Sequence, residues 1–145
     1  MKRLLLPLML GVLVSAFLGV LPALAIFDVT PAQAQAQSDA PQVVATWPTD
    51  GLKDLDSASI TEITVTFDRP MRRDSWSWVM EDAASFPEVA GDPYFTEDGL
   101  TCVLPVKLTP MTSYVIWINS DTLQNFVDEN GVPATPYRFF FATLQ

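Results

Sequence analysis

The stretch from Ile60 to Trp78, ITEITVTFDRPMRRDSWSW, restricts this chain more than any other. Ile63, Val65 and Phe67 alternate with Glu62, Thr64, Thr66 and Asp68, the pattern of a strand with one buried and one wet face. Pro70 has no N–H to offer a ladder, so pairing stops there. A second strand-like run, Trp76 to Met80, puts Trp76, Trp78 and Met80 on one face and Ser75, Ser77 and Val79 on the other. Two amphipathic strands so close together must bury their apolar faces against a further layer.

The rest of the chain supplies that layer. Val43-Val44-Ala45 reads as a first strand ending near Trp47-Pro48, with Asp50-Gly51 as a turn and Asp54 to Ser59 looped. Glu81 to Asp92 is acidic, holds Ala, Ser, Pro and Gly, and reads as a loop. Tyr94-Phe95-Thr96 and Leu100 to Val106 flank Glu97-Asp98-Gly99, and Asp-Gly between strand-like runs predicts a hairpin. Tyr114, Ile116 and Ile118 share one face of the next strand, with Val115, Trp117 and Asn119 on the other. A tyrosine opening a strand just after Leu108-Thr109-Pro110 fits a tyrosine corner, whose phenol bonds back to corner backbone. After a turn at Asp128-Glu129-Asn130-Gly131, Tyr137, Phe139 and Phe141 alternate with Arg138, Phe140 and Ala142. About seven short strands separated by Pro or Gly predict an all-β sandwich.

The N-terminal segment is of another kind. Met1-Lys2-Arg3 is basic, and Leu4 to Phe27 carries no charge. Small-x-small signals follow at Ala23-Leu24-Ala25, Ala32-Gln33-Ala34 and Ala34-Gln35-Ala36, the build of a secretory signal peptide. An uncleaved anchor stays open, because an apolar run of this length can span a bilayer. Either way the remainder is exported. Residues 1–36 are thus expected to be signal or anchor leading into a tether, and residues 41–145 to be one domain that is secreted, periplasmic or on the cell surface. Removing residues 1–36 leaves six Lys+Arg against sixteen Asp+Glu, a net charge of −10. With no basic patch, neither nucleic acid nor, after signal cleavage, an anionic membrane is an expected partner. Cys102, the single cysteine, lies on the apolar face of Leu100, Cys102, Leu104 and Val106 and is expected in the core.

With these residues in view, the chain resembles the bacterial Ig-like domain of the S-layer SbsA type. Trp47-Pro48-Thr49-Asp50-Gly51 matches that family's turn after the first strand. Ile63-Thr64-Val65-Thr66-Phe67-Asp68-Arg69-Pro70-Met71 is similar to its I-x-V-x-F-S-x-P-M run. Leu108-Thr109-Pro110 with Tyr114, then Asp128-Glu129-Asn130-Gly131 leading to Phe139-Phe140-Phe141-Ala142-Thr143, complete an ordered set from Pro41 to Thr143. The resemblance implies a seven-stranded Ig-like sandwich, a module of bacterial surface proteins usually found in tandem or beside other domains. It brings no catalytic residues and no cofactor.

The chemistry of the side chains agrees with that expectation. The chain has no histidine, so Ser-His and Cys-His pairs cannot be built. Asp121, Asp128, Glu129 and Asn130 are hard oxygen ligands, but their spacing suits a turn better than a calcium loop. Arg69, Arg72 and Arg73 are expected to pair with Asp68 and Asp74. The sharpest feature is aromatic. The last two strands of an Ig-like sandwich are antiparallel neighbours, so if Tyr114, Ile116, Ile118, Phe139 and Phe141 face inward, Val115, Trp117, Arg138 and Phe140 face outward together. Such a strip either docks a partner or lies under a loop such as Asn119 to Val127. The expected function is that of a non-catalytic secreted module making protein–protein or cell-envelope contacts, with a cell-envelope protein or polysaccharide as partner. The alternative is a carbohydrate-binding module, with Trp117 and also Trp47 stacking on polysaccharide. No metal site and no catalytic site is expected.

Overall fold

The computed structural model describes residues 40–144; the expected signal or anchor of residues 1–36 lies outside the described residues. The alternation that marks Ile60 to Phe67 is realised as strand β2, Glu62–Phe67, with Ile63, Val65 and Phe67 buried and Thr64 and Thr66 turned outward. One neighbour of β2 is β1, Val43–Trp47, whose ladder shifts register between Val43 and Ala45. The other is β6, Thr101–Lys107. Two very short strands, β4 at Glu88–Val89 and β5 at Tyr94–Phe95, share the far edge of β6. All these pairings are antiparallel and make one five-stranded sheet. The second sheet has three strands in the order β3 (Trp78–Met80), β7 (Ser113–Ile118), β8 (Tyr137–Ala142).

The core lies between the sheets. Ile63, Val65, Phe67, Cys102 and Leu104 come from the larger sheet; Tyr114, Ile116, Ile118, Phe139 and Phe141 from the smaller. Tyr114 stacks on Phe141 at 5.2 Å between ring centroids, and Phe141 on Phe139 at 6.3 Å. The tyrosine corner is present: the Thr109 N–H donates to the Tyr114 phenol oxygen at 2.7 Å. The Asp98-Gly99 hairpin joins β5 to β6, with Gly99 at φ 71° and the Asp98 carboxylate accepting from the Leu100 N–H.

Three expectations need correction. The described strands number eight rather than seven, because the acidic stretch read as a loop contains β4. Pro87 and Pro93 bracket β4 and Gly91 breaks it from β5, so neither can lengthen. Trp76 precedes β3 instead of opening it, although it packs on the core from outside. Met80 is 55% exposed. It pairs with Ile116 on the core-facing side of β7, but β3 is an edge strand and Met80 overhangs the side of the sandwich. Trp78 is the tryptophan that reaches the core, meeting Phe126 edge-on at 5.6 Å.

The free edge of β8 is covered. Phe140 N–H donates to Asp50 Oδ1 at 3.0 Å, Gly51 N–H donates to Phe140 O at 2.8 Å, and Ala142 N–H donates to Leu52 O at 3.0 Å. The Asp50-Gly51 turn therefore takes up backbone groups that would otherwise invite a further strand.

Candidate functional site

The outer face of the three-stranded sheet brings the four expected residues together. Val115 lies opposite Phe140, and Trp117 opposite Arg138 on one side and Val79 on the other. Phe140 and Arg138 are exposed; Val115 and Trp117 are half-buried. The segment Asn119 to Val127 does not roof the strip. Asn119 is wholly buried and Phe126 enters the core, so the segment turns into the end of the sandwich. Only its first residues, Ser120 and Asp121, help wall a depression of about 300 Å³ beside Trp117, which Val79, Glu81 and Pro136 also line.

Glu81, unremarked in the sequence, organises this face. Its Oε2 accepts the Trp117 indole N–H at 3.0 Å and the Arg138 Nε–H at 2.8 Å. A longer contact of 3.4 Å joins Arg138 to Oε1. The Arg138 guanidinium, then the Trp117 indole, hold the Glu81 carboxyl below the ordinary glutamate range, and Glu81 raises Arg138 in turn. The clamp fixes the edge of the indole and leaves Phe140 and the depression as the accessible parts. A group whose folded pKa is depressed stabilises the fold above its unfolded pKa, and that contribution disappears as pH falls through the folded value. The Glu81 carboxyl is therefore expected to titrate, by NMR, below an ordinary glutamate and to return toward it in Arg138→Ala.

The other candidates are taken up by structure. The Asp128 carboxylate is buried and accepts the N–H groups of Asn130 and Val132, both at 2.9 Å. Asp121 lies apart from it, beside Trp117. Among the described residues no group of three or more His, Cys, Asp or Glu could hold a metal ion. Arg69 pairs with Asp68 at 3.0 Å, Arg72 with Asp74 at 2.8 Å, and Arg73 donates to the Glu97 carbonyl. Cys102 is wholly buried, and burial pushes its thiol up to about 12. No helix among the described residues is long and apolar enough to cross a membrane.

Trp47 is not part of this face. It lies opposite Thr64, whose neighbours Ile63 and Val65 point into the core, so Trp47 projects from the outer face of the five-stranded sheet. Trp117 and Trp47 thus occupy opposite sides of the sandwich and cannot serve one ligand together.

Two antiparallel sheets packed face to face and pinned by a tyrosine corner define an Ig-like β-sandwich. The chain belongs to the bacterial Ig-like domain family, whose model matches residues 37–143. No curated protein matches it. Among solved structures it is similar to the S-layer protein rSbsC(31-844), at 18% identity and a TM-score of 0.40 over 78% of this chain. It is also similar to domains 1–6 of the surface layer protein SbsC, at 20% identity and 0.39 over 77%. It spans 15% of the length of each.

Proposed function

We propose that this protein is a non-catalytic, exported module of the bacterial cell envelope that makes protein contacts through the outer face of its three-stranded sheet. The ordered sequence motifs support assigning it to the SbsA type within its family, and the segment of residues 1–36 supports export by the general secretory route. The observation that carries the contact reading is the clamp of Glu81 on Trp117 and Arg138, beside Phe140. An indole fixed at its polar edge and an exposed phenyl ring across the strand form a rigid aromatic anchor, which loses little side-chain entropy on binding. The acidic balance of the chain favours a partner of opposite charge.

The test places a photo-crosslinking residue at Phe140 and, as a control, at Asp56, in the chain exported by the cell. A discrete adduct from position 140 alone, abolished when Trp117→Ser is added, is the expected result. Equal adducts from both positions, or an adduct indifferent to Trp117→Ser, would rule this face out as the contact surface.

A further inference from the structure

The outer face of the five-stranded sheet carries a second arrangement, independent of the Trp117 strip. Strand register sets Trp47, Thr64, Val103 and Tyr94 in one row across β1, β2, β6 and β5. The two ends of the row stand out: Trp47 is 47% exposed and Tyr94 50%. The middle is low, with Val103 only 5% exposed and Thr64 half-buried. The result is a floor of short side chains between two aromatic residues, carried on strands three strand-to-strand steps apart, roughly 14 Å.

The adjoining row is Ala45, Thr66 and Thr101, with the two threonine hydroxyls 3.0 Å apart. Among the described residues the Thr64 hydroxyl makes no side-chain hydrogen bond, so it is available to a ligand at the centre of the floor. Neither row contains a charged residue. That is unusual in a chain with sixteen acids and six bases beyond residue 36. Charge enters at the margins: Glu62 stands in the next row on one side with Glu88 opposite Lys107 beyond it, and Asp68 and Asp98 stand on the other.

We propose that this face binds an uncharged polysaccharide, with Trp47 and Tyr94 stacking on sugar rings at the two ends of the row and threonine hydroxyls meeting sugar hydroxyls between them. Charge selects the occupant. The surrounding acids repel anionic polymers, and a neutral floor offers no ion pair to a basic protein. The apolar area is split between two rings with a hydroxyl-bearing floor between them, whereas a stable protein interface needs a contiguous apolar centre. Aromatic side chains present a flat apolar face to the C–H face of a sugar. The separation of the strands that carry the two rings calls for several linked sugars, not one.

Affinity electrophoresis of the purified chain tests this in gels containing hydroxyethylcellulose, mannan or dextran, with polygalacturonate as the charged comparison and pull-down on insoluble chitin alongside. At least one neutral polymer is expected to retain the wild type, unaffected by salt, while polygalacturonate does not. Trp47→Ala and Tyr94→Ala should each weaken retention roughly tenfold. Trp47→Phe and Tyr94→Phe keep the ring and should retain most binding, which separates lost stacking from lost folding. Trp117→Ser should bind as the wild type does. Failure of every neutral polymer to retain the chain overturns the proposal, as does undiminished retention of both alanine variants. Retention lost only in Trp117→Ser would place sugar on the opposite face and also overturn it. The outcomes for the Trp47 and Tyr94 variants do not bear on the crosslink from Phe140.

Discussion

Phe126→Ala is expected to lower the free energy of unfolding by about 4 kcal/mol, among the largest losses a single truncation can produce here. Phe126 is wholly buried although it lies in no strand. Its ring meets Phe67 at 5.3 Å, Trp78 at 5.6 Å and Phe95 at 6.2 Å, so it joins a residue of each sheet to the hairpin strand β5. The size of the loss depends on whether the site can collapse. Here it is held open. The Phe126 carbonyl accepts the Ala134 N–H at 2.9 Å and the Asn119 side-chain amide at 3.0 Å, and its N–H donates to Asn119 Oδ1 at 3.0 Å. The backbone cannot sink into the space the ring leaves. Urea denaturation is the measurement, and a shift in midpoint at unchanged slope is the expected form. Phe126→Leu, which fills part of the space, should lose less than half as much. A loss below about 1 kcal/mol for Phe126→Ala would mean that the sheets close over the cavity.

Phe126 also shows where sequence reading stops. Period-two alternation made the inward faces of β2, β7 and β8 legible, because a strand with one wet face must write its burial into every second residue. The tyrosine corner was legible for a similar reason: Thr109 and Tyr114 are five residues apart, and local geometry decides the bond. Leu123-Gln124-Asn125-Phe126-Val127 has no period at all, so nothing in it marks Phe126 as a core residue. Glu81 was hidden for a different reason. It is 36 residues from Trp117 and 57 from Arg138, and its role exists only because β3 pairs with β7 and β7 with β8. The outward grouping of Val115, Trp117, Arg138 and Phe140 could be read from alternation plus one assumed neighbour. The row from Trp47 to Tyr94 could not, since it needs the register of three successive strand pairs, including β5, which is two residues long.

Asn119→Ala should cost about as much as Phe126→Ala, by a wholly polar route. Asn119 closes β7 with φ at 57°, in the left-handed region that asparagine enters more readily than other side-chain-bearing residues. Its side chain is buried and fully used. The amide donates to the carbonyls of Phe126 and Ala134, each at 3.0 Å, and Oδ1 accepts the Phe126 N–H. Alanine removes all three bonds. The Phe126 carbonyl keeps the Ala134 N–H, but the Ala134 carbonyl and the Phe126 N–H lose these partners away from water, at about 1–3 kcal/mol each. Alanine also tolerates that left-handed conformation less well than asparagine does, at a further cost of about 1 kcal/mol. A total near 4 kcal/mol follows. Two further substitutions separate its parts. Asn119→Gly relieves the strain and leaves the bonds broken, so it should recover about 1 kcal/mol and no more. Asn119→Asp can still accept from the Phe126 N–H, but it turns a carboxylate toward two carbonyl oxygens and should remain strongly destabilised. Because Ser120 and Asp121 follow directly and wall the depression beside Trp117, all three variants should also change Trp117 fluorescence under conditions where the chain is still folded. A glycine variant as stable as the wild type would mean that water replaces the amide at this position, and that the segment Asn119 to Val127 is positioned by Phe126 alone.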